Sequence, residues 1–158
     1  MSIAVAIIGG GRVGAGNVGL AGGLPLSHLA AVLAAAPQGV RLAGIVEPEF
    51  ARRAAIAADW PELPSAMVQA ELAALSLPSD CIAAICVPES ARIAAIEMAL
   101  KAGVQGLIVE KPPARNRAEL RHIANLAKAA NVPLLFNYNR RFDPRIAALR
   151  ASLPRDPT

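Results

Sequence analysis

Residues 3–14, IAVAIIGGGRVG, decide the fold of this 158-residue chain. An apolar run rich in β-branched residues leads directly into the pattern G-x-G-x-x-G, formed by Gly9, Gly11 and Gly14. The first glycine of this pattern permits a tight turn, the second lets the backbone approach a pyrophosphate, and the third allows a helix to pack closely. The stretch therefore predicts a buried first strand followed by a dinucleotide-binding loop.

Outward from this stretch, short apolar runs alternate with longer Ala- and Leu-rich segments of helical period. Because the short runs are apolar at consecutive positions, they predict parallel strands buried on both faces. The fold class predicted is α/β, a single-domain, doubly wound parallel sheet of the Rossmann type over residues 1–151, with an irregular tail over 152–158. The predicted strands are 3–8, 42–46, 82–87, 107–109 and 134–136, with a short one near 67–68, and the predicted helices are 26–36, 49–58, 69–75, 90–102, 117–130 and 144–151.

An acidic residue closes the second predicted strand, in the stretch GIVE at residues 44–47. A carboxylate at this place accepts hydrogen bonds from ribose hydroxyls and repels a 2′-phosphate. Glu47 therefore favours NAD over NADP as the cofactor, although Arg52 and Arg53 nearby weaken that preference.

The separation between the glycine pattern and this acid is unusually long. Glu47 follows Gly14 by 33 residues, whereas about 20 are typical. The excess lies in a Gly-rich insertion at residues 15–25. Two interpretations remain open: the insertion folds over a bound cofactor or substrate, or it is a surface loop without a function.

Composition excludes several classes of protein. Hydrophobic residues make up 54% of the chain and charged residues 18%, which suffices for a core and excludes a disordered protein. Aromatic residues are only 3%, too few for a surface that stacks nucleic-acid bases. The ten Lys and Arg residues from position 110 onward are scattered, so we expect no nucleic-acid partner.

The sequence also bears on location. No apolar stretch reaches the roughly 20 residues that span a membrane, so we expect no membrane partner. Cys81 and Cys86 have neither metal-ligand nor disulfide spacing and lie in an apolar run. They predict reduced thiols, no metal site and a cytoplasmic protein.

Four further motifs occur in order: VPES at 87–90, AG at 102–103, EKP at 110–112 and NYNRRFDP at 137–144. Together they resemble the N-terminal NAD(P)-binding domain of the Gfo/Idh/MocA family, named for glucose–fructose oxidoreductase, inositol dehydrogenase and rhizopine oxidoreductase. In that family the Glu-Lys-Pro tripeptide follows the fifth strand, and the last segment leads into a second domain. The resemblance covers nearly the whole chain.

The resemblance implies a role for individual residues. The implied pyrophosphate site consists of Gly9, Gly11, Arg12, Val13 and Gly14. Glu47 would bind the adenosine ribose, while Pro88 and Glu89 would line the nicotinamide ribose. Glu110 would lie beside the nicotinamide, and Lys111 would be the catalytic residue. A lysine at the carboxyl end of a parallel strand suits that role, because it hydrogen-bonds a reacting hydroxyl and stabilises negative charge during hydride transfer.

The chain departs from the family at several places. Arg92 stands where the family commonly has histidine, which puts a local contact in doubt. His28, at a helix start, and His122, on a predicted helix surface, do not match the family's catalytic histidine. The family's C-terminal substrate domain is absent from these residues, so we expect little turnover by this chain alone.

Two functions follow from these observations. The first is the cofactor-binding domain of an oxidoreductase that transfers hydride between nicotinamide and a hydroxyl of a sugar or sugar derivative. The alternative is a non-catalytic dinucleotide-sensing or scaffold module. Under both, the surface that would meet a second domain is expected to be apolar. We therefore expect a homo-oligomer, or a partner chain that covers this surface.

Overall fold

A computed structural model of the chain describes residues 2–16, 20–21 and 24–153. Within them the strands are β1 (Ile3–Ile8), β2 (Leu20–Ala21), β3 (Leu24–Pro25), β4 (Val40–Val46), β5 (Val68–Gln69), β6 (Cys81–Ile85), β7 (Leu107–Glu110) and β8 (Leu134–Asn137). The α-helices are α1 (His28–Ala34), α2 (Phe50–Asp59), α3 (Glu89–Lys101), α4 (Arg117–Ala129) and α5 (Pro144–Ser152). Residues 154–158 of the predicted tail lie outside the described residues.

Six of these strands form one parallel sheet in the order β5-β4-β1-β6-β7-β8. Strands β4 and β5 lie on one side of β1. The chain then crosses over, and β6, β7 and β8 follow on the other side. This reversal of direction beside β1 creates a crevice at the carboxyl edge of the sheet, where ligands of such folds bind. The sheet confirms the predicted Rossmann-type fold.

Helices cover both faces of the sheet, as consecutive apolar residues in the strands predict. On one face, Ile7 and Ile45 pack in a core cluster with Leu29 of α1. On the other, Ile85 packs with residues of α3 and α4, among them Ile123. Adjacent residues of a strand thus enter opposite cores, which fixes the register of the strands relative to the helices.

The predicted helix ends are confirmed at two places. Gly103 follows α3 with φ +82°, and Asn131 follows α4 with φ +55°. Both are the left-handed conformation in which helices commonly stop, and glycine and asparagine tolerate it best. At the other end of α4, the Asn116 side chain accepts a hydrogen bond from the Glu119 N–H, as a helix cap does.

The helix predicted at residues 69–75 is wrong. Gln69 pairs with Val46 in the sheet, and the backbone of Glu71 is extended, with φ −133° and ψ 147°. A 3₁₀ turn over Leu72–Ala74 replaces the helix. This single turn already places Leu72 in the core, so tertiary packing outweighed the helical propensity of an Ala- and Leu-rich segment.

The Gly-rich insertion interrupts a helix that the glycine loop begins. The Ala15 N–H donates to the Gly11 carbonyl at 2.9 Å, and the N–H of His28 and that of Leu29 donate to the carbonyls of Val13 and Gly14, each at 2.9 Å. In a continuous α-helix the partner of the Val13 carbonyl would be residue 17, but here it is His28.

Eleven residues, 17–27, are therefore interposed in the sequence of one helical element, two positions later than the predicted insertion at 15–25. Without them Glu47 would follow Gly14 by 22 residues, close to the typical separation of about 20. Of the insertion, residues 20–21 and 24–25 pair as antiparallel β2 and β3, whereas residues 17–19 and 22–23 lie outside the described residues.

In the described part of the chain, no helix has the length and apolar character needed to cross a membrane.

The interruption of one helical element by residues 17–27 predicts the effect of two deletions. Removal of residues 17–27 joins Gly16 to His28 in helical register, so we expect a folded protein. Its free energy of unfolding should change by no more than about 1 kcal/mol, because the Ala30 N–H, which Ser27 accepts now, would donate to the Ala15 carbonyl in the continuous helix. Urea unfolding followed by circular dichroism measures this value.

Removal of ten residues, 17–26, is the matched control. It turns α1 by about 100° relative to the core and places His28 where Leu29, which is fully buried, now packs. We expect a loss larger by several kcal/mol, since a core leucine is replaced by a polar ring. Equal stabilities of the two deletion variants would contradict the conclusion that residues 17–27 interrupt one helical element.

Candidate functional site

Four loops meet at the carboxyl edge of the sheet, those that follow β1, β4, β6 and β7. They enclose a cavity of about 420 Å³. Nine of the ten residues predicted for the site line it: Gly9, Gly11, Arg12, Val13, Glu47, Pro88, Glu89, Glu110 and Lys111. The structure therefore brings residues 102 positions apart in the sequence to one crevice.

The tenth residue, Gly14, lies behind the loop rather than on the cavity wall. A Cβ at Gly14 would collide with the carbonyl oxygen of Gly9. Gly9 itself has φ +102°, and a Cβ there would lie 2.8 Å from the backbone carbon of Cys86. These two glycines are required by the packing of the loop against β6.

Gly11 differs from both. A Cβ at Gly11 would have no protein atom within 4 Å, and the residue borders the cavity. Nothing in the described protein requires glycine there, while open space at a backbone that faces a cavity is what a bound group needs in order to approach closely.

Glu47 ties the glycine loop to the turn after β4. Its side chain is buried, and its carboxylate accepts the Gly10 N–H at 2.9 Å and the Glu49 N–H at 3.0 Å. A carboxylate has about four acceptor positions, so capacity remains on the side that faces the cavity. The nearest cation is Arg52, whose Nη1 lies 4.0 Å from the carboxylate.

The two arginines near Glu47 are engaged locally. Arg53 donates to the carbonyls of Glu47 and Pro48 at 2.8 and 2.7 Å. Arg52 pairs with the Glu49 carboxylate at 2.8 Å. Their contacts thus stabilise the turn after β4 and the start of α2.

Arg92 links the loop after β6 to the loop after β7. It is 3% exposed, and its guanidinium donates to the carbonyl of Val87 at 2.7 Å and to that of Pro112. The arginine at this position therefore bridges the loops that carry Pro88 and Lys111. Its Nε has no hydrogen-bond partner among the described residues.

A cluster that the sequence did not reveal surrounds Glu110 at the end of β7. His28 Nε2 lies 2.8 Å from Glu110 Oε1, and Asn137 Nδ2 donates to the same oxygen. The Lys111 N–H donates to Oε2 at 3.2 Å. Because an ionised carboxylate can only accept hydrogen bonds, His28 Nε2 is the donor to it.

These contacts decide the charge of Glu110. Burial by itself would raise the pKa of its carboxyl group, but hydrogen bonds from His28, Asn137 and the Lys111 backbone outweigh it and leave that pKa lowered. The side chain is 10% exposed. Glu110 is thus a buried anion at neutral pH, held by donors from three different elements.

His28 and Asn137 were missed for different reasons. Asn137 ends β8 at the same edge as the other site residues, and that position was the available signal. His28 seemed far from the glycine pattern because the insertion separates them, although in the helix it lies one turn from Val13. His122, in contrast, lies half exposed 3.7 Å from Glu97 on the surface.

The remaining reactive groups are few. Lys111 lies exposed at the rim of the cavity. Both cysteines are free, and burial raises the pKa of the Cys81 and Cys86 thiols, so neither is a thiolate at neutral pH. Residues 2–16, 20–21 and 24–153 contain no group of three or more His, Cys, Asp or Glu residues suited to a metal ion.

Comparison with known proteins gives a family match. The GFO_IDH_MocA model, which describes an oxidoreductase family with an NAD-binding Rossmann fold, matches residues 3–138. No curated protein sequence matches the chain significantly.

Solved structures with a similar fold are more numerous. An oxidoreductase from Agrobacterium radiobacter in complex with NAD+, L-tartaric acid and magnesium is 19% identical with a TM-score of 0.73, over 96% of this chain and 40% of that one. The UDP-N-acetylglucosamine 3-dehydrogenase GnnA from Acidithiobacillus ferrooxidans is 22% identical with a TM-score of 0.66, over 96% and 43%.

A third similar structure is the WlbA dehydrogenase from Chromobacterium violaceum in complex with NADH and UDP-GlcNAcA. It is 19% identical with a TM-score of 0.72, over 96% of this chain and 39% of that one. The chain thus spans about two fifths of the length of each of these structures. At these identities the likeness shows the fold.

The space around Gly14 and around Gly11 predicts effects of very different size when each is replaced by alanine. Gly14→Ala should lower the free energy of unfolding by about 3 kcal/mol, because its Cβ collides with backbone that cannot move cheaply. Gly11→Ala should change it by no more than about 0.5 kcal/mol, since the new methyl group enters open space. Urea unfolding of both variants checks this, and equal losses would show that the loop packs differently.

Proposed function

Because this chain belongs to the Gfo/Idh/MocA oxidoreductase family, we propose that it holds NAD(H) across the carboxyl edge of its sheet for hydride transfer to or from the hydroxyl-bearing carbon of a sugar or sugar derivative. It is an NAD-binding Rossmann domain. The observation that carries the proposal is the convergence of the glycine loop, Glu47 and Lys111 on one cavity.

The pyrophosphate lies, in this proposal, against the glycine loop. The open space over Gly11 fits it, because only a backbone without a Cβ allows a phosphate so close. Arg12, which lines the same cavity, supplies positive charge, and Val13 packs alongside. Gly9 and Gly14 act from behind by holding the turn.

The adenosine half lies on the β4 side. Glu47 accepts hydrogen bonds from its ribose hydroxyls with the acceptor positions that Gly10 and Glu49 leave free. An apolar cavity of about 810 Å³ adjoins this position and is lined by residues such as Val46, Leu72 and Ala91. Its apolar lining suits the adenine ring, and its volume is more than the ring needs.

We propose NAD rather than NADP as the cofactor. With the adenosine ribose bound at the buried Glu47 carboxylate, a 2′-phosphate would come close to that carboxylate, and repulsion between the two anions would disfavour NADP. Both arginines that could attract this phosphate are already engaged, Arg53 with backbone carbonyls and Arg52 with Glu49.

The nicotinamide half lies on the β6 and β7 side, with Pro88 and Glu89 at its ribose and Glu110 beside its ring. The cofactor, when bound, supplies or accepts the hydride. Lys111 reaches from the rim to the substrate hydroxyl and stabilises the negative charge that develops on its oxygen as the proton is lost. Arg92 keeps the loops that carry Pro88 and Lys111 at a constant distance.

Substrate positioning requires groups beyond those described, and we propose that a further domain or a partner chain supplies them. Two of the similar structures act on or bind nucleotide sugars, which supports a sugar derivative as substrate. Without such positioning a major part of the catalytic effect is lost, so we expect this chain alone to turn over poorly.

One observation favours association, both for the proposed function and for the alternative of a dinucleotide-sensing or scaffold module. No residue of α5 is buried, and three large apolar side chains near it are exposed, Phe142 at 66%, Leu149 at 56% and Leu153 at 57%. Exposed apolar groups so close together mark a contact surface. We propose that this surface meets a second copy, a partner chain or a further domain.

Cofactor binding is tested by thermal melts with NAD, NADH, NADP and NADPH. A ligand at 100 times its Kd stabilises the folded state by about 2.7 kcal/mol, so NAD and NADH should raise the Tm by several degrees. In Gly11→Ala the Tm without ligand should be unchanged and the shift reduced, because the methyl group occupies the pyrophosphate position. No shift with any dinucleotide would refute the proposed function.

The preference between cofactors is tested with Glu47→Gln, which keeps an acceptor for Gly10 and removes the charge. The ratio of the Kd for NADP to the Kd for NAD should fall at least tenfold, and isothermal titration calorimetry measures both constants. Because the ratio is taken within one variant, a change in fold stability cancels. An unchanged ratio would show that Glu47 does not select the cofactor.

Association is tested by size-exclusion chromatography with light scattering. We expect a mass above the 16.3 kDa of one chain at high concentration, and a return towards the monomer when Phe142 and Leu149 are both changed to serine. A chain that stays monomeric at all concentrations would exclude self-association and leave a further domain or a different partner to cover the surface.

A further inference from the structure

The proposed hydride transfer does not use the buried carboxylate of Glu110, which is held by several hydrogen-bond donors. Lys111 stabilises the reacting oxygen in the proposed function, whereas the Glu110 side chain has no reacting partner. Yet three elements converge on it: α1 through His28, β8 through Asn137, and the loop after β7 through the Lys111 N–H.

Keeping a carboxylate ionised in a buried place is costly unless donors surround it. Here both oxygens accept hydrogen bonds, and two side-chain donors share Oε1. A glutamine would also fit in this space, but its NH₂ group would face the donor on one side. The arrangement is therefore built for a negative charge rather than for an uncharged polar group.

The sheet order determines which half of a dinucleotide this charge faces. Glu47 follows β4 on one side of β1, and Glu110 ends β7 on the opposite side. The glycine loop lies between them, and all three border the same cavity. With the pyrophosphate at the loop and the adenosine at Glu47, Glu110 faces the nicotinamide half.

The two redox forms of the cofactor differ in charge at this end. The oxidised nicotinamide ring carries one positive charge, and the reduced ring carries none. A fixed anion in a partly buried site attracts the charged ring more strongly than water-screened charges do. Of the four cationic side chains that border the cavity, Arg92 and Lys111 come from the β6 and β7 side, so the carboxylate offsets positive charge that would otherwise oppose the oxidised ring.

We propose that the Glu110 carboxylate, held in place by His28 and Asn137, makes this site bind the oxidised cofactor more tightly relative to the reduced one. This inference rests on the proposed function, since it requires a nicotinamide cofactor in the crevice. His28 and Asn137 are positioning residues, because they act through the carboxylate and not on the ring itself.

The test compares the Kd for NAD+ with the Kd for NADH in the full chain, by calorimetry for the former and by nicotinamide fluorescence for the latter. In Glu110→Gln the ratio of the Kd for NADH to the Kd for NAD+ should fall about tenfold, which corresponds to about 1.4 kcal/mol. Glu62→Gln is the matched control, because it removes an exposed carboxylate outside the cluster and should leave the ratio unchanged.

The positioning residues are tested in the same assay. His28→Ala should move the ratio in the same direction by a smaller factor, and His28→Gln, which keeps a side-chain donor, should restore most of it. A structural role would lower both affinities together and leave the ratio constant. Since partial unfolding also affects both affinities equally, the ratio stays informative in a destabilised variant.

The possible results distinguish a failure of this inference from a failure of the proposed function. Wild type and Glu110→Gln with ratios equal within twofold would overturn the inference while leaving cofactor binding intact. A wild-type chain that binds neither NAD+ nor NADH would overturn both the inference and the proposed function.

Discussion

Close packing of the glycine loop on itself and against the backbone that follows β6 is the constraint on which the rest of this structure depends. Gly14 leaves no space for a Cβ beside the Gly9 carbonyl, and Gly9 leaves none beside the backbone of Cys86. The chain therefore leaves β1 in a tight turn that lies directly on β6. This turn leads into α1 and opens the crevice at the carboxyl edge, where the sheet changes direction.

Two buried carboxylates then hold the crevice together from opposite sides. Glu47 binds the loop after β1 through Gly10, and Glu110 binds the start of α1 through His28 and the end of β8 through Asn137. Each joins elements distant in sequence, and each faces the same cavity. A carboxylate with several acceptor positions can satisfy protein donors and still receive a ligand, so the groups that join these elements are also available for binding.

Local patterns sufficed for most of the fold. Apolar runs of strand length and Ala- and Leu-rich segments of helical period predicted the five longer sheet strands and five of the helices, because burial on both faces and helical periodicity leave direct traces in a sequence. The helix predicted at residues 69–75 was wrong because one strand pair and the burial of one leucine outweighed the helical propensity of the segment. The sequence did not predict the Glu110 cluster because its members come from three elements. In addition, the insertion separates His28 from the glycine loop in the sequence, although the two are neighbours in the helix.

The sequence by itself determined the parallel α/β sheet, the glycine loop, and the residues Glu47 and Lys111 at the ends of strands. These follow from spacing and residue type, which act over a few neighbouring positions. The tertiary structure alone decided that α1 continues across an insertion of eleven residues, that Arg92 joins two loops, and that Glu110 is a buried anion. Hydrogen-bond partners and desolvation depend on which distant segments meet in space, and no local pattern encodes that meeting.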